Sequence, residues 1–167
     1  MTGPDRVRAA PVVARTHLPW SHALLVEYTA FVLFVTWWPS PQSTNAPQWE
    51  TAILDTIRGV GIPMTMPVLE ALANVGMFVP LGMLLVPGWS AWLTRRGRAT
   101  ASAPARTPAA AIFVRTVLTG LALTIVIETV QLAIPGRYST VQDVVMNTLG
   151  GAVGGGAALL VRRLRRG

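Results

Sequence analysis

The apolar residues of the chain fall into four long runs separated by shorter polar stretches, at about residues 21–38, 64–89, 109–134 and 141–161. A helical run of about 20 apolar residues spans the hydrocarbon core of a bilayer. A helix on the surface of a soluble protein would instead show a one-sided apolar stripe. The pattern therefore predicts an all-α polytopic membrane protein, a bundle of four transmembrane helices.

The first run can be either a membrane span or a secretory signal, because both place an apolar segment near an N-terminus. It carries one acid, Glu27, and ends at Trp37, Trp38 and Pro39, interface aromatic residues followed by a helix breaker. No small-x-small cleavage pattern follows it. We interpret it as an uncleaved first span.

The segment at residues 49–60, between the first two runs, has helical periodicity of its own. Trp49, Ile53, Leu54 and Ile57 recur at helical spacing. The opposite side carries Glu50, Asp55 and Arg58. The segment is too short and too charged to span a bilayer, so it predicts a short amphipathic helix that lies on the membrane surface or packs over the bundle.

Proline and glycine mark the second run and its end. Pro80 lies inside the run and is expected to kink the helix, and Pro87 with Gly88 is expected to end it. Residues 90–108 are rich in Ala, Arg and Pro and show no apolar periodicity. They predict a flexible linker to the third span.

The charge distribution predicts the orientation of the spans. The net charge is +7, and eleven of the 14 basic residues lie in the N-terminal segment, the linker and the C-terminal tail. Arg58 and Arg137 lie on the other side. Because cytoplasmic loops carry the excess of positive charge, both termini are expected in the cytoplasm of a cell-membrane protein. Residues 1–20 form the predicted cytoplasmic N-terminal segment, residues 21–161 the membrane domain and residues 162–167 the basic cytoplasmic tail.

Composition excludes several classes of function. Apolar residues make up 51% of the chain and charged residues 13%, and the arginines flank apolar runs, which favours contact with the lipid bilayer over nucleic acid. There is no cysteine, so disulfides and thiolate metal sites are excluded. His17 and His22 precede or begin the first span, far along the chain from Glu128 and Asp143. No cofactor and no metal is expected.

Polar side chains of three spans are predicted to meet at one depth below the outer surface. Asn74 in the second span and Glu128 in the third each lie about 10 Å from the outer end of their helix. Gln131 shares the face of Glu128, and Asp143 and Asn147 share one face of the fourth span. In lipid such groups must face one another, water or a ligand, so the pattern predicts a polar ligand-binding pocket.

Arg137, in the short turn before the fourth span, is the expected counter-charge of this pocket. Its planar guanidinium suits a carboxylate, Asp143 or Glu128, or a phosphate. An alternative is structural: with Ser139 or Thr140 before it, Asp143 can itself be a cap residue that satisfies free backbone N–H groups.

Glycines in the fourth span predict close helix packing. Gly150, Gly151, Gly154 and Gly155 form two overlaid small-xxx-small pairs. A phosphate-binding loop would require glycines at a strand-to-helix turn, which is not predicted here.

The order of these elements resembles the VanZ-like family over about residues 64–161. The matching elements are Asn74-Val-Gly-Met-Phe-Val-Pro-Leu-Gly82, Glu128-Thr-Val-Gln131, Arg137 and Asp143-Val-Val-Met-Asn147-Thr-Leu-Gly150-Gly151. The resemblance implies an association with reduced susceptibility to the glycopeptide antibiotic teicoplanin. It supplies no catalytic residues.

Three hypotheses of function follow. The leading one is a non-enzymatic envelope protein whose outer-leaflet pocket binds a lipid-linked wall precursor or a glycopeptide, with Arg137 on its anionic group. The second is a membrane-embedded hydrolase or transferase with Glu128 or Asp143 as acid or base. The third is ion or proton translocation. The oligomeric state cannot be read from the sequence.

Overall fold

The computed structural model describes residues 20–38, 46–100, 108–135, 137 and 139–166, apart from the side chains of residues 46–50 and 98–100. The predicted N-terminal segment therefore lies almost wholly outside the described residues. The described part is all-α, as predicted. Its helices are α1 (Trp20–Trp37), α2 (Ala46–Gly59), α3 (Met66–Thr100), α4 (Ala109–Gln131) and α5 (Val141–Leu164).

Three of these helices are long and apolar enough to cross a membrane: Met66–Gly97 of α3, Ala109–Gln131 and Val141–Leu164. α1 coincides with the first predicted span, but it is not one of these three, so the fourth crossing stays a prediction. The helix α2 occupies the predicted short segment, and its position on the membrane surface also stays a prediction.

Helix α3 differs from the prediction at its C-terminal end. It continues through Pro87 to Thr100, into the segment expected to be a flexible linker. The physical reason is tertiary packing: beyond Pro87 the Trp89 Nε1 atom donates to Thr119 of α4 at 3.1 Å, and Ser90 contacts α5. These contacts hold the continued helix against its neighbours although the local sequence favours a break.

The bundle buries polar side chains and exposes large apolar ones. Among the described residues seven polar side chains are buried, including Thr124, Glu128, Gln131 and Asn147, whereas large apolar residues such as Leu118 and Val153 are more than half exposed. A soluble protein of this size rarely exposes so much apolar surface. The distribution is that of helices whose outer faces contact lipid and whose polar side chains face the interior of the bundle.

The centre of the bundle is the packing of α3 against α5, with α4 and α1 alongside. A Cβ atom at Gly150 or Gly154 would overlap the carbonyl oxygens of Val75 or Val79 in α3, and one at Gly82 would overlap the Gly151 carbonyl oxygen. The two backbones are therefore in direct contact. Gly155 faces α4 instead. An apolar core joins α1, α3 and α4 beside this contact; it consists of Val32, Phe78, Leu81, Leu85 and Ile127.

Candidate functional site

The first turn of α5 is built around Asp143. Thr140 is the N-cap residue, and its hydroxyl oxygen accepts from the Asp143 backbone N–H at 3.1 Å. The same hydroxyl donates to Asp143 Oδ2 at 2.6 Å. The cap residue is thus Thr140 and not Asp143, which the structural alternative had named, and the Asp143 carboxylate lies in the first turn, where it faces the positive end of the helix dipole.

Asp143 is also bonded across the bundle. Asn74 lies in the third turn of α3, and its Nδ2 atom donates to Asp143 Oδ1 at 2.6 Å. Both carboxylate oxygens therefore accept a hydrogen bond, one from within α5 and one from α3. The close backbone contact of α3 and α5 two turns further along α5, at Gly150, brings these two short side chains within reach.

Glu128 completes the site from α4. Its side chain is 6% exposed and accepts hydrogen bonds from the Ser139 side chain and the Thr140 backbone N–H, and the Asp143 carboxylate repels it electrostatically. Its Oε2 atom is buried and has no hydrogen-bond partner among the described residues. We call Asn74, Glu128, Ser139, Thr140 and Asp143 the polar cluster.

A second polar layer lies about one turn deeper in the bundle. Asn147 Nδ2 donates to Thr124 Oγ1 at 2.9 Å, and both residues are buried. The Asn147 Oδ1 atom, like Glu128 Oε2, has no partner in the described part of the chain. Two buried acceptors without donors thus lie on facing sides of α4 and α5, and such groups are uncommon in native proteins.

Gln131 and Arg137 bind α1 rather than the carboxylates. Gln131 Nε2 donates to the Thr36 carbonyl oxygen at 2.9 Å. The Arg137 guanidinium donates to the carbonyl oxygens of Val35 and Trp38 at 3.1 Å. In the structure Arg137 therefore binds backbone carbonyl groups, and not Glu128 or Asp143 as predicted. The reason is competition: the last carbonyl groups of a helix lack intrahelical partners and carry partial negative charge, which a guanidinium satisfies.

Thr124 and Thr36 are site residues that the sequence reasoning missed. Thr36 offers only its backbone carbonyl group, which no sequence pattern reveals. Thr124 had a detectable signal, because buried small or polar residues recur every four positions along α4: Thr116, Gly120, Thr124 and Glu128. Such a stripe in an otherwise apolar helix marks the face turned toward the bundle.

Other acids stay apart from the cluster. Glu70 is exposed although it lies one turn before Asn74. Glu27 lines a groove between α1 and α3 with Leu24, Tyr28 and Leu84. Within the described ranges no group of three or more His, Cys, Asp or Glu side chains is arranged to hold a metal ion.

Comparison with known proteins assigns the chain to a family. The family model described as VanZ/LLP1 matches residues 25–162. The chain belongs to the VanZ/LLP1 family. This confirms the resemblance noted in the sequence, and the VanZ/LLP1 region contains all the residues of the polar cluster. No curated protein and no solved structure matches the chain.

Proposed function

We propose that this VanZ/LLP1-family protein is a multi-pass protein of the cell membrane, with both termini cytoplasmic, that binds a polar envelope ligand at the polar cluster. One observation carries the proposal: Glu128 Oε2 and Asn147 Oδ1 are buried acceptors with no hydrogen-bond partner among the described residues. An unpaired buried acceptor costs about 1–3 kcal/mol. A ligand that supplies the donors would recover this cost.

The chemistry of the cluster favours a donor-bearing ligand. Arg137 is engaged with α1, so the groups that remain in the cluster are carboxylate and amide oxygens together with two hydroxyls. Sugar hydroxyls, amide N–H groups and ammonium groups complement such oxygens. The headgroup of a lipid-linked cell-wall precursor, or a glycopeptide such as teicoplanin, carries these donors.

The covering of Glu128 suggests how such a headgroup enters. Ser139 and Thr140 belong to the irregular turn between α4 and α5, not to a helix. A shift of this turn would open Glu128 without separating α3 from α5. Near the outer leaflet, this turn is the part of the cluster closest to a headgroup.

The proposal is tested with a matched pair of acid variants in a teicoplanin-exposed host. Glu128→Gln keeps the shape of the side chain but adds a donor where the ligand needs an acceptor. Glu70→Gln makes the same change at an exposed position on the same end of the bundle. We expect altered teicoplanin susceptibility on expression of wild type and Glu70→Gln, and loss of the effect in Glu128→Gln at equal membrane abundance. Equal effects of all three proteins would contradict the proposal.

A second candidate, a hydrolase or transferase, draws on the unlike environments of the two carboxylates. Asp143 accepts hydrogen bonds at both oxygens, whereas Glu128 keeps one oxygen unpaired. Two carboxyl groups in different surroundings can divide acid and base roles. Turnover of a labelled lipid-linked substrate by purified protein, abolished in Glu128→Gln, would favour this candidate over simple binding.

A third candidate, ion or proton translocation, draws on the polar stripe of α4. Thr116 Oγ1 is buried and has no hydrogen-bond partner in the described part of the chain, and it lies about 18 Å along the helix from Glu128. A path between these groups would cross most of the bilayer. Reconstituted vesicles that show no pH-driven flux above the level of Glu128→Gln vesicles would remove this candidate.

A further inference from the structure

The end of the bundle opposite the polar cluster carries two arginines that bind one turn of α3. The Arg115 guanidinium of α4 lies over the Trp89 and Trp92 rings, 5.3 and 4.9 Å from their centroids. The Arg162 Nη1 atom of α5 donates to the hydroxyl of Ser90. We call Trp89, Ser90, Trp92, Arg115 and Arg162 the basic junction.

The basic junction lies at the depth of a bilayer surface. Along α4, Arg115 is about 20 Å from Glu128, and along α5, Arg162 is about 28 Å from Asp143. The hydrocarbon core of a bilayer is about 30 Å thick. If the polar cluster lies just below one surface, the two guanidinium groups lie at the other, where lipid phosphates are found.

Neither arginine is neutralised by a described residue. Among the described residues no carboxylate forms an ion pair with Arg115 or Arg162; their contacts are aromatic rings and a neutral hydroxyl. A guanidinium has five N–H donors, and stacking over a ring leaves its edge free to bind an anion. A planar edge of this kind binds phosphate oxygens in pairs.

Apolar surface lies next to these charges. Trp92 is 40% exposed, and Leu118, one turn from Arg115 on α4, is 56% exposed. Tryptophan at a membrane interface contacts the region between headgroup and acyl chain. The arginines therefore lie where a phospholipid places its phosphate, and the exposed apolar side chains lie where it places its acyl chains.

We propose that the basic junction binds an anionic phospholipid of the bilayer, with its phosphate group between Arg115 and Arg162 and its acyl chains along Trp92 and Leu118. The bound lipid would bridge Arg115 of α4 and Arg162 of α5, which both contact α3 at this end of the bundle. The proposal is independent of the ligand at the polar cluster.

Native mass spectrometry of the full chain tests it. Wild type, released from mixed micelles with equal amounts of phosphatidylglycerol and phosphatidylcholine of the same acyl chains, is expected to retain phosphatidylglycerol. Absence of this preference would overturn the proposal without any variant. Displacement of the lipid by excess soluble glycerol phosphate would show a site for free phosphate and would overturn the lipid assignment.

Variants with equal net charge separate the site from general attraction. Arg115→Gln with Arg162→Gln removes the junction, whereas Arg163→Gln with Arg166→Gln removes two exposed charges of the tail. The first variant loses hydrogen bonds between charged guanidinium groups and the phosphate, and the second does not. We therefore expect the loss of phosphatidylglycerol retention to be about ten-fold greater in the first variant than in the second. Equal losses would overturn the site, and Arg115→Lys with Arg162→Lys, which keeps both charges, is expected to lose less than the glutamine variant.

Discussion

Gly154 and Gly151 offer the sharpest test of the packing that positions the polar cluster. Both belong to the same small-residue motif of α5, but they face different surroundings. A Cβ at Gly154 would overlap the Val79 carbonyl oxygen and lie 2.8 Å from its carbon, whereas a Cβ at Gly151 would meet nothing within 4 Å. Alanine substitution at the two positions is therefore expected to act in opposite directions.

The magnitude follows from the distances. Carbon contacts are most favourable at about 3.5–4.0 Å, so Gly154→Ala requires α3 and α5 to separate by about 1 Å. Overpacking of this kind costs about 1–3 kcal/mol. Alanine is preferred over glycine inside a helix by about 0.5–1 kcal/mol, which offsets part of the cost. We expect Gly154→Ala to lower the free energy of unfolding by about 1–2 kcal/mol and Gly151→Ala to leave it unchanged or slightly higher.

The assay is reversible unfolding of the purified protein in mixed detergent micelles, followed by tryptophan fluorescence. Both variants have the same composition, so differences in detergent binding cancel. Similar unfolding free energies for the two variants, whether both are lowered or both unchanged, would refute the close α3–α5 contact. That result would also remove the reason that Asn74 and Asp143 lie within hydrogen-bond distance.

Three further predictions concern the cluster and the membrane topology. Asn74→Leu removes the donor to Asp143, and the loss of a hydrogen bond to a charged group is expected to lower the unfolding free energy by about 1.5–3 kcal/mol; no change would contradict the bond. Thr140→Ala removes the N-cap of α5 and is expected to lower the unfolding free energy by about 1 kcal/mol in the same assay. Thr148→Ala serves as the control: it removes only a hydrogen bond to a carbonyl oxygen within α5, and it is expected to lower the unfolding free energy by less. Because the chain has no native cysteine, Thr2→Cys can be labelled alone; a membrane-impermeant maleimide is expected not to reach it in intact cells, and labelling there would contradict a cytoplasmic N-terminus.

The meeting of Asn74, Glu128 and Asp143 was predictable because helix geometry alone determines depth. Asn74 and Glu128 lie a similar distance from the outer ends of their apolar runs, because the rise per residue of a helix is constant, and Asp143 lies in the first turn of the run that follows Glu128. Polar groups at equal depth in lipid have few partners other than each other. The glycine spacing of α5 was equally informative about where two backbones approach.

The partner of Arg137 and the length of α3 were not predictable in this way. The free carbonyl groups that Arg137 binds belong to α1, and nothing in the sequence between residues 38 and 137 shows that the end of α1 lies beside the α4–α5 turn. The part of α3 beyond Pro87 is held by Trp89 and Ser90 through residues far along the chain. Both cases depend on tertiary contacts that compete with a local preference.

The most direct test of the polar cluster is the binding of a lipid-linked disaccharide-peptide wall precursor to the purified protein. We predict binding by wild type and by Glu70→Gln, and at least about ten-fold weaker binding by Glu128→Gln, since a hydrogen bond to a charged acceptor is lost. Equal affinity of Glu128→Gln and wild type, with both proteins folded, would contradict a ligand site at Glu128.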